Sequence, residues 1–238
     1  MNQVELTEEK LEATKVAEGK ECKSKKKSNF FRKHNITTKR LVMVAILTAL
    51  SVILYITLKF PMQALIPIIP GFLDVNFSML PIIICLFMID WKDALVMVVL
   101  RFLIKLPMSS TMYVGEIADL VMGAFVVLVT ALVYHYTKNI WLLLTTVVIS
   151  WSIAGVFTNA FINVPLYLKL FFGNNLDAFV GAISCIPGVN ESNYMLYYLG
   201  IGVIPFNLIL SVVIGLFSVL VFKRLRAIYN SIGTKKLC

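Results

Sequence analysis

Charged residues are scarce in this chain, and most of its basic residues lie at the two ends. Only 15% of the 238 residues are charged and 59% are hydrophobic, whereas a typical soluble domain is about 25% charged. Residues 1–40 hold 11 of the 22 Lys and Arg residues, and residues 223–238 hold five more and no acidic residue. This composition excludes an ordinary soluble domain. It also argues against a nucleic-acid-binding protein, whose basic residues would cover one folded face.

Several catalytic and metal-binding patterns are also absent. The four cysteines form no C-x-x-C pair and no metal-ligand spacing. There is no phosphate-binding G-x-x-x-x-G-K-S/T loop, no H-E-x-x-H zinc motif and no G-x-S-x-G nucleophile motif. The two histidines, His34 and His135, fall at predicted cytoplasmic edges, where neither can act as a buried base. We therefore expect no catalytic residues, no metal site and no ATP hydrolysis through a phosphate loop.

Apolar segments of membrane-spanning length run through residues 41–222 and predict an all-α integral membrane protein. A transmembrane helix needs about 20 residues, so this region accommodates roughly six or seven spans. Lys and Arg concentrate on the cytoplasmic side of membrane proteins, and both ends of this chain are basic. Both termini are therefore predicted in the cytoplasm. This requires an even number of spans and favours six transmembrane helices in a multi-pass protein of the cell membrane.

The predicted spans divide the chain into three parts. Residues 1–40 form a polar, basic cytoplasmic tail, residues 41–226 a six-helix transmembrane domain, and residues 227–238 a short basic cytoplasmic tail. Pro165 is expected to kink the fifth span, and Pro205 lies inside the sixth. The spans are expected at about residues 41–58, 77–89, 94–106, 116–136, 140–170 and 196–222.

Two carboxylates stand near the start of the fourth predicted span. Glu116 and Asp119 are three residues apart and therefore share one helical face. A carboxylate at the bilayer centre costs about 2.5 kcal/mol or more and usually faces a protein interior or a wet cavity. The helix dipole stabilises negative charge at this end, so capping is one interpretation. The others are contact with a ligand and pairing with Arg101 or Lys105, two cations that could also extend outward to the interface.

Three asparagines lie inside the last two predicted spans. Asn159 and Asn163 are four residues apart, and Asn207 follows Pro205 by two positions. An amide offers a donor and an acceptor, which suits a heterocycle that carries N–H and C=O groups. The alternative is a hydrogen bond between helices or, for Asn207, to a backbone carbonyl that the proline leaves free.

Ala45 and Ala49 form a small-x-x-x-small pair in the first predicted span. Small residues four positions apart let a second helix approach closely. On its own, the pair is explained better by packing within this chain than by contact with a partner protein.

Several of these residues belong to motifs that occur together, in order, in one protein family. The chain resembles the substrate-binding S components of energy-coupling factor (ECF) vitamin transporters, most closely the riboflavin-specific group. The resemblance covers about residues 40–226. The motifs are Ala45-x-x-x-Ala49, residues 72–81 (similar to L-x-x-D-F-S-x-x-P), residues 115–119 (similar to G-E-L-A-N), Thr158-Asn159, residues 202–207 (similar to G-V-x-P-F-N) and residues 222–225 (similar to Y-K-R-L).

The resemblance implies a six-helix, non-enzymatic subunit that binds riboflavin or a related flavin from outside the cell. It implies three partner subunits, namely a transmembrane energy-coupling subunit, which Ala45 and Ala49 would face, and two ATPase subunits. The other partners are the lipid bilayer and the transported vitamin, with no nucleic acid. The residues implied or predicted to bind the ligand are Asp74, Asn76, Phe77, Glu116, Asp119, Asn159, Asn163, Phe206 and Asn207.

The sequence departs from the family pattern at three positions. Asn76 replaces an aspartate, Asp119 replaces an asparagine, and Leu210 stands where a lysine is common. These changes alter the polarity of the expected site. The alternatives to a riboflavin-binding subunit are therefore an S component for another flavin or vitamin, such as thiamine or folate, an integral-membrane enzyme, and an assembly protein without a ligand.

Overall fold

The computed structural model describes residues 38–109, 111–137 and 139–231, with side chains described to residue 225. The described chain is mostly helical, and its strands form one short antiparallel hairpin, β1 (Phe60–Pro61) with β2 (Asp74–Val75). The helices are α1 (Thr38–Thr57), α2 (Met79–Met88), α3 (Trp91–Lys105), α4 (Val114–Tyr136), α5 (Ile140–Thr158), α6 (Val164–Leu170), α7 (Leu176–Ala182), α8 (Tyr194–Tyr197) and α9 (Ile204–Ser231).

Two predicted parts of the chain fall largely outside these ranges. Of the predicted tail 1–40, residues 1–37 lie outside the described residues, and α1 begins within the remaining three. Of the predicted tail 227–238, residues 232–238 lie outside them. Residues 227–231 continue helix α9.

Four described helical stretches are long and apolar enough to cross a membrane. They are Thr38–Thr57, Val114–Tyr136, Ile140–Leu170 and Tyr194–Leu225. Helix α2 has 10 residues and α3 has 15, so both are shorter than the roughly 17 residues of a minimal span. The chain is therefore a helical membrane protein, and the count of six spans stays a prediction.

Both of the longest stretches contain a π-helical turn just before a proline. Asn159–Asn163 precedes Pro165, and Tyr198–Val203 precedes Pro205. A proline cannot donate a backbone hydrogen bond, and its ring crowds the carbonyl four residues earlier. The wider π turn, a feature found often at functional sites, lets the helix continue past the proline. As a result, Asn159 and Asn163 lie at the two ends of a widened turn between α5 and α6.

Helix α2 forms the centre of the bundle. It packs against α1, α3 and α9, and eight of its ten residues are buried. A helix that is apolar on every side lies either inside a protein core or in the bilayer, and α2 lies inside the core. Because α2 needs no polar face, its sequence carries no helical periodicity, and only its apolar run indicated a helix.

Helix α1 is the most exposed of the four spanning stretches. Its buried residues are Val44, Thr48 and Ser51, whereas Ala45 and Ala49 lie on the exposed face. The predicted partner-binding alanines are therefore available at the surface and do not pack inside the described chain.

Two loops contain order that the sequence did not indicate. The segment between α1 and α2 forms the β1–β2 hairpin, in which Lys59 pairs with Asp74 at 3.0 Å. The segment between the fifth and sixth predicted spans contains α7. The Asn175 side chain caps α7 by accepting a hydrogen bond from the amide of Ala178, and Phe179 anchors it in the core.

Candidate ligand-binding site

A cavity of about 140 Å³ lies among the hairpin, the C-terminal end of α1, and helices α3, α4, α5 and α9. Eight of the nine residues predicted to bind a ligand line it, although they come from distant parts of the chain. They are Asp74, Asn76, Glu116, Asp119, Asn159, Asn163, Phe206 and Asn207. Phe77 does not line the cavity and packs, partly buried, against the hydrophobic core. Leu210, at the position of the family's lysine, does line it.

Asp119 is the acceptor for two buried cations. Its Oδ2 atom lies 3.0 Å from Nη2 of Arg101 and 2.7 Å from Nζ of Lys105. Arg101 is 1% exposed and Lys105 is 3% exposed. The suggestion that these cations extend to the interface is therefore wrong, because the ion pairs with Asp119 hold both of them inside. The Lys105 ammonium also lies 3.7 Å from the ring centroid of Tyr55, a favourable cation–π distance.

Arg101 connects this ion cluster to the hairpin. Its Nη1 donates to Oγ of Ser78 at 2.8 Å, and that hydroxyl donates to Oδ1 of Asn76 at 2.7 Å. The hydroxyl of Ser51 on α1 donates to the Ser78 carbonyl. One continuous network therefore joins α4, α3, the start of α2 and α1 beside the cavity.

Glu116 is held by hydroxyl groups and not by the cations. Its Oε2 atom accepts hydrogen bonds from Ser109 and Thr111, each at 2.8 Å. The loop reaches this geometry through left-handed backbone conformations at Met112 (φ 48°) and Tyr113 (φ 67°). The sequence interpretation that the acids pair with Arg101 or Lys105 therefore holds for Asp119 and not for Glu116.

The two asparagines of the π turn differ in how far their hydrogen bonds are satisfied. Oδ1 of Asn159 accepts from Tyr198 at 2.8 Å and from Asn163 at 3.0 Å, and its Nδ2 donates to the Gly155 carbonyl at 2.8 Å. Oδ1 of Asn163 is buried and has no partner among the described residues. Buried polar atoms are nearly always hydrogen-bonded, so this acceptor is suited to a donor on a ligand.

Trp151 is a cavity residue that the sequence reasoning missed. It is 2% exposed, and its indole N–H has no acceptor among the described residues. A tryptophan buried in an apolar helix usually finds an acceptor for this group. That expectation could have marked Trp151 as a candidate, although it could not have told which neighbour faces the indole.

Lys59 and Asp74 form the more exposed part of the cavity wall. Each side chain is 30% exposed. Burial disfavours the charge of Lys59, but the hydrogen bond and the attraction to Asp74 outweigh this effect and raise its pKa above the ordinary value. Lys59 is therefore a fully charged partner of Asp74 at neutral pH.

Comparisons with known proteins identify the family of this chain. The family model described as the ECF transporter substrate-specific component matches residues 39–222. The chain therefore belongs to the family of ECF transporter S components. It is similar to the riboflavin transporter RibU of Streptococcus thermophilus, with 32% identity over 211 residues, covering 84% of this chain and 87% of that protein.

Two further similarities support this assignment. The riboflavin transporter RibU of Staphylococcus aureus is 26% identical over 194 residues, covering 79% of this chain and 90% of that protein. A solved structure of the S component of a bacterial ECF transporter superposes with a TM-score of 0.59 at 26% identity, covering 80% of this chain and 97% of that one. The resemblance inferred from the motifs is thus confirmed, and the chain is a membrane transport component and not an enzyme.

The contact between α5 and α9 yields a testable prediction. A Cβ atom at Gly155 would lie 2.4 Å from Cγ of Asn207, so Gly155→Ala must displace that side chain. We expect a loss of about 1–3 kcal/mol in stability, measured as a lower thermal unfolding temperature in detergent. Gly200→Ala is the matched control, because a Cβ there meets nothing within 4 Å. Equal unfolding temperatures for the two variants would contradict the close packing.

Proposed function

We propose that the chain binds riboflavin, or a related flavin, from outside the cell and delivers it inward as the S component of an ECF importer. One observation carries this proposal, namely that eight residues predicted to bind the ligand line a single cavity. The similarity to proteins named as riboflavin transporters supports the choice of ligand.

The chemistry of the cavity is compatible with a flavin. The flavin ring is planar and apolar at one end and carries N–H and C=O groups at the other. Phe72, Tyr167 and Phe206 supply aromatic wall, while Asn163 and Trp151 supply an unpaired acceptor and an unpaired donor. Binding would use burial of the ring for affinity and these polar atoms for orientation. No bond of the ligand is made or broken.

The proposed topology has six spans with both termini in the cytoplasm. In that arrangement the hairpin with Lys59 and Asp74 lies on the outer side, so the more exposed wall of the cavity faces the incoming ligand. The short helices α2 and α3 would then span the bilayer together with neighbouring residues that lie at the membrane–water interfaces. Transport would be driven by a transmembrane energy-coupling subunit and two ATPase subunits, because this chain has no phosphate-binding loop of its own.

A second candidate ligand is a cationic vitamin such as thiamine. Glu116 has no cationic partner among the described residues, since its contacts are the hydroxyls of Ser109 and Thr111. An acid of this kind could pair with a positively charged ring. A binding assay that includes both vitamins separates the two candidates.

The proposed ligand is tested by titrating riboflavin with purified protein and following flavin fluorescence. We expect quenching that saturates at one flavin per chain. Asn163→Ala should weaken binding by about tenfold, because it removes one buried ligand hydrogen bond worth about 1.5 kcal/mol. Asn190→Ala is the control, because Asn190 lies in the segment between α7 and α8 and does not line the cavity. Absence of quenching, together with calorimetric binding of thiamine, would replace riboflavin by the second candidate.

We also propose that the exposed face of α1 with Ala45 and Ala49 contacts the energy-coupling subunit, and enlarging these alanines tests this. Ala45→Trp with Ala49→Trp should preserve riboflavin binding, because both positions are exposed. The same change should abolish uptake by cells that contain the coupling and ATPase subunits, since bulky residues prevent close helix contact. Thr145→Trp on the exposed side of α5 is the control and should transport normally. Normal uptake by the double variant would exclude this face as the docking surface.

A further inference from the structure

A second cavity, an open groove, lies at the end of the bundle opposite the hairpin, where α1 begins and where α2 and α9 end. Its volume is about 540 Å³, within the range of about 300–1,000 Å³ that is usual for ligand pockets. Its apolar wall consists of Val42, Met43, Ile46, Leu47, Met88 and Leu225. The two polar residues of its wall, Thr38 and Lys39, stand together at one end of the groove because they are the first two residues of α1.

The groove has the length and the polarity of one leaflet of a bilayer. Leu47 follows Thr38 by nine positions, so α1 lines the groove over about 14 Å at 1.5 Å per residue. Half of a hydrocarbon core of about 30 Å is about 15 Å. Because α1 is one of the stretches long and apolar enough to cross a membrane, its first residues lie near the membrane surface and Leu47 near the bilayer centre. The groove is therefore apolar at the depth of the acyl chains and polar at the depth of the headgroups.

The polar end of the groove carries a positive charge that no acid among the described residues neutralises. Lys39 is exposed, and it takes part in none of the ion pairs that the described chain forms. The two acids that follow α2, Asp90 and Asp93, both bind the neighbouring Arg40. A lysine near the membrane surface attracts anionic lipid headgroups, so the charge at this end of the groove favours a phosphate.

We propose that this groove binds one anionic phospholipid, with an acyl chain along α1 and the phosphate at Lys39 and the Thr38 hydroxyl. Basic pockets between transmembrane helices are typical binding sites for anionic headgroups. Charge complementarity favours such a lipid over a zwitterionic one, whose own cation Lys39 repels. The groove and the flavin cavity share no residue, so the proposal is independent of which vitamin the protein carries. The proposed topology adds only that the lipid belongs to the cytoplasmic leaflet.

The test is native mass spectrometry of the full-length protein, which counts the lipids that stay bound when the detergent is removed. The protein is titrated with phosphatidylglycerol and, separately, with phosphatidylcholine that has the same acyl chains. The wild type should bind one phosphatidylglycerol at least about fivefold more tightly than phosphatidylcholine, the factor expected for one basic residue at the headgroup. Lys39→Gln should remove this preference by weakening the binding of phosphatidylglycerol alone, because the apolar wall is unchanged.

Lys223→Gln is the matched control for the charge. Lys223 is an exposed cation at the same end of the bundle, but its ammonium lies 5.8 Å from the ring centroid of Trp141 and it does not line the groove. This variant should keep the wild-type preference. Equal wild-type affinities for the two lipids, or an equal loss of preference in both lysine variants, overturns the proposal.

Met43→Trp tests the apolar part of the same groove. The larger side chain should fill the groove and abolish tight binding of both lipids, whereas Leu132→Trp, at an exposed position of α4 outside the groove, should bind them as the wild type does. Retained riboflavin binding identifies the variants that are folded. A folded Met43→Trp variant with wild-type lipid binding overturns the proposal, as does a wild type that retains no lipid. Failure of the wild type to bind riboflavin, with the lipid preference intact, overturns the proposed function alone.

Discussion

The ion cluster at Asp119 is the interaction on which the arrangement of the bundle depends. Arg101 and Lys105 are almost completely buried, and burying a cation without a partner costs several kcal/mol in a low-dielectric interior. Asp119 offsets part of that cost, because its Oδ2 atom pairs with both cations while its single negative charge balances one of them. Because Arg101 also donates to Ser78, the pairing fixes α3 and α4 against the segment that enters α2. The same interaction that stabilises this part of the fold therefore sets the charge of the cavity wall.

The second constraint comes from the prolines of the two longest helical stretches. Pro165 and Pro205 each follow a π turn, and these turns contribute Asn159, Asn163 and Tyr198. The hydrogen bond from Tyr198 to Asn159 joins the two irregular turns at 2.8 Å. The backbone irregularity that each proline requires thus coincides with the polar atoms beside the cavity.

Much of this organisation could be predicted from local sequence patterns. The long apolar runs located the spanning stretches within a few residues, and the spacing of Glu116 and Asp119 placed both on one helical face, as the structure has them. The partner of each acid could not be predicted, because it depends on how α3 packs against α4. Helix α7 was missed because it has only seven residues and one buried anchor, Phe179, which is too few positions to show a helical period. Trp151 could have been marked as a polar group in an apolar helix, but its place in the cavity wall depends on how the helices pack.

The central claim is that one cavity binds the flavin through the unpaired polar atoms of its wall. A crystal structure of the protein saturated with riboflavin tests this most directly. The account predicts the flavin inside the cavity, with a ring N–H within hydrogen-bonding distance of Oδ1 of Asn163 and side-chain hydroxyls at Glu116 and Asp119. A flavin bound elsewhere on the protein, with the cavity unoccupied, would contradict it.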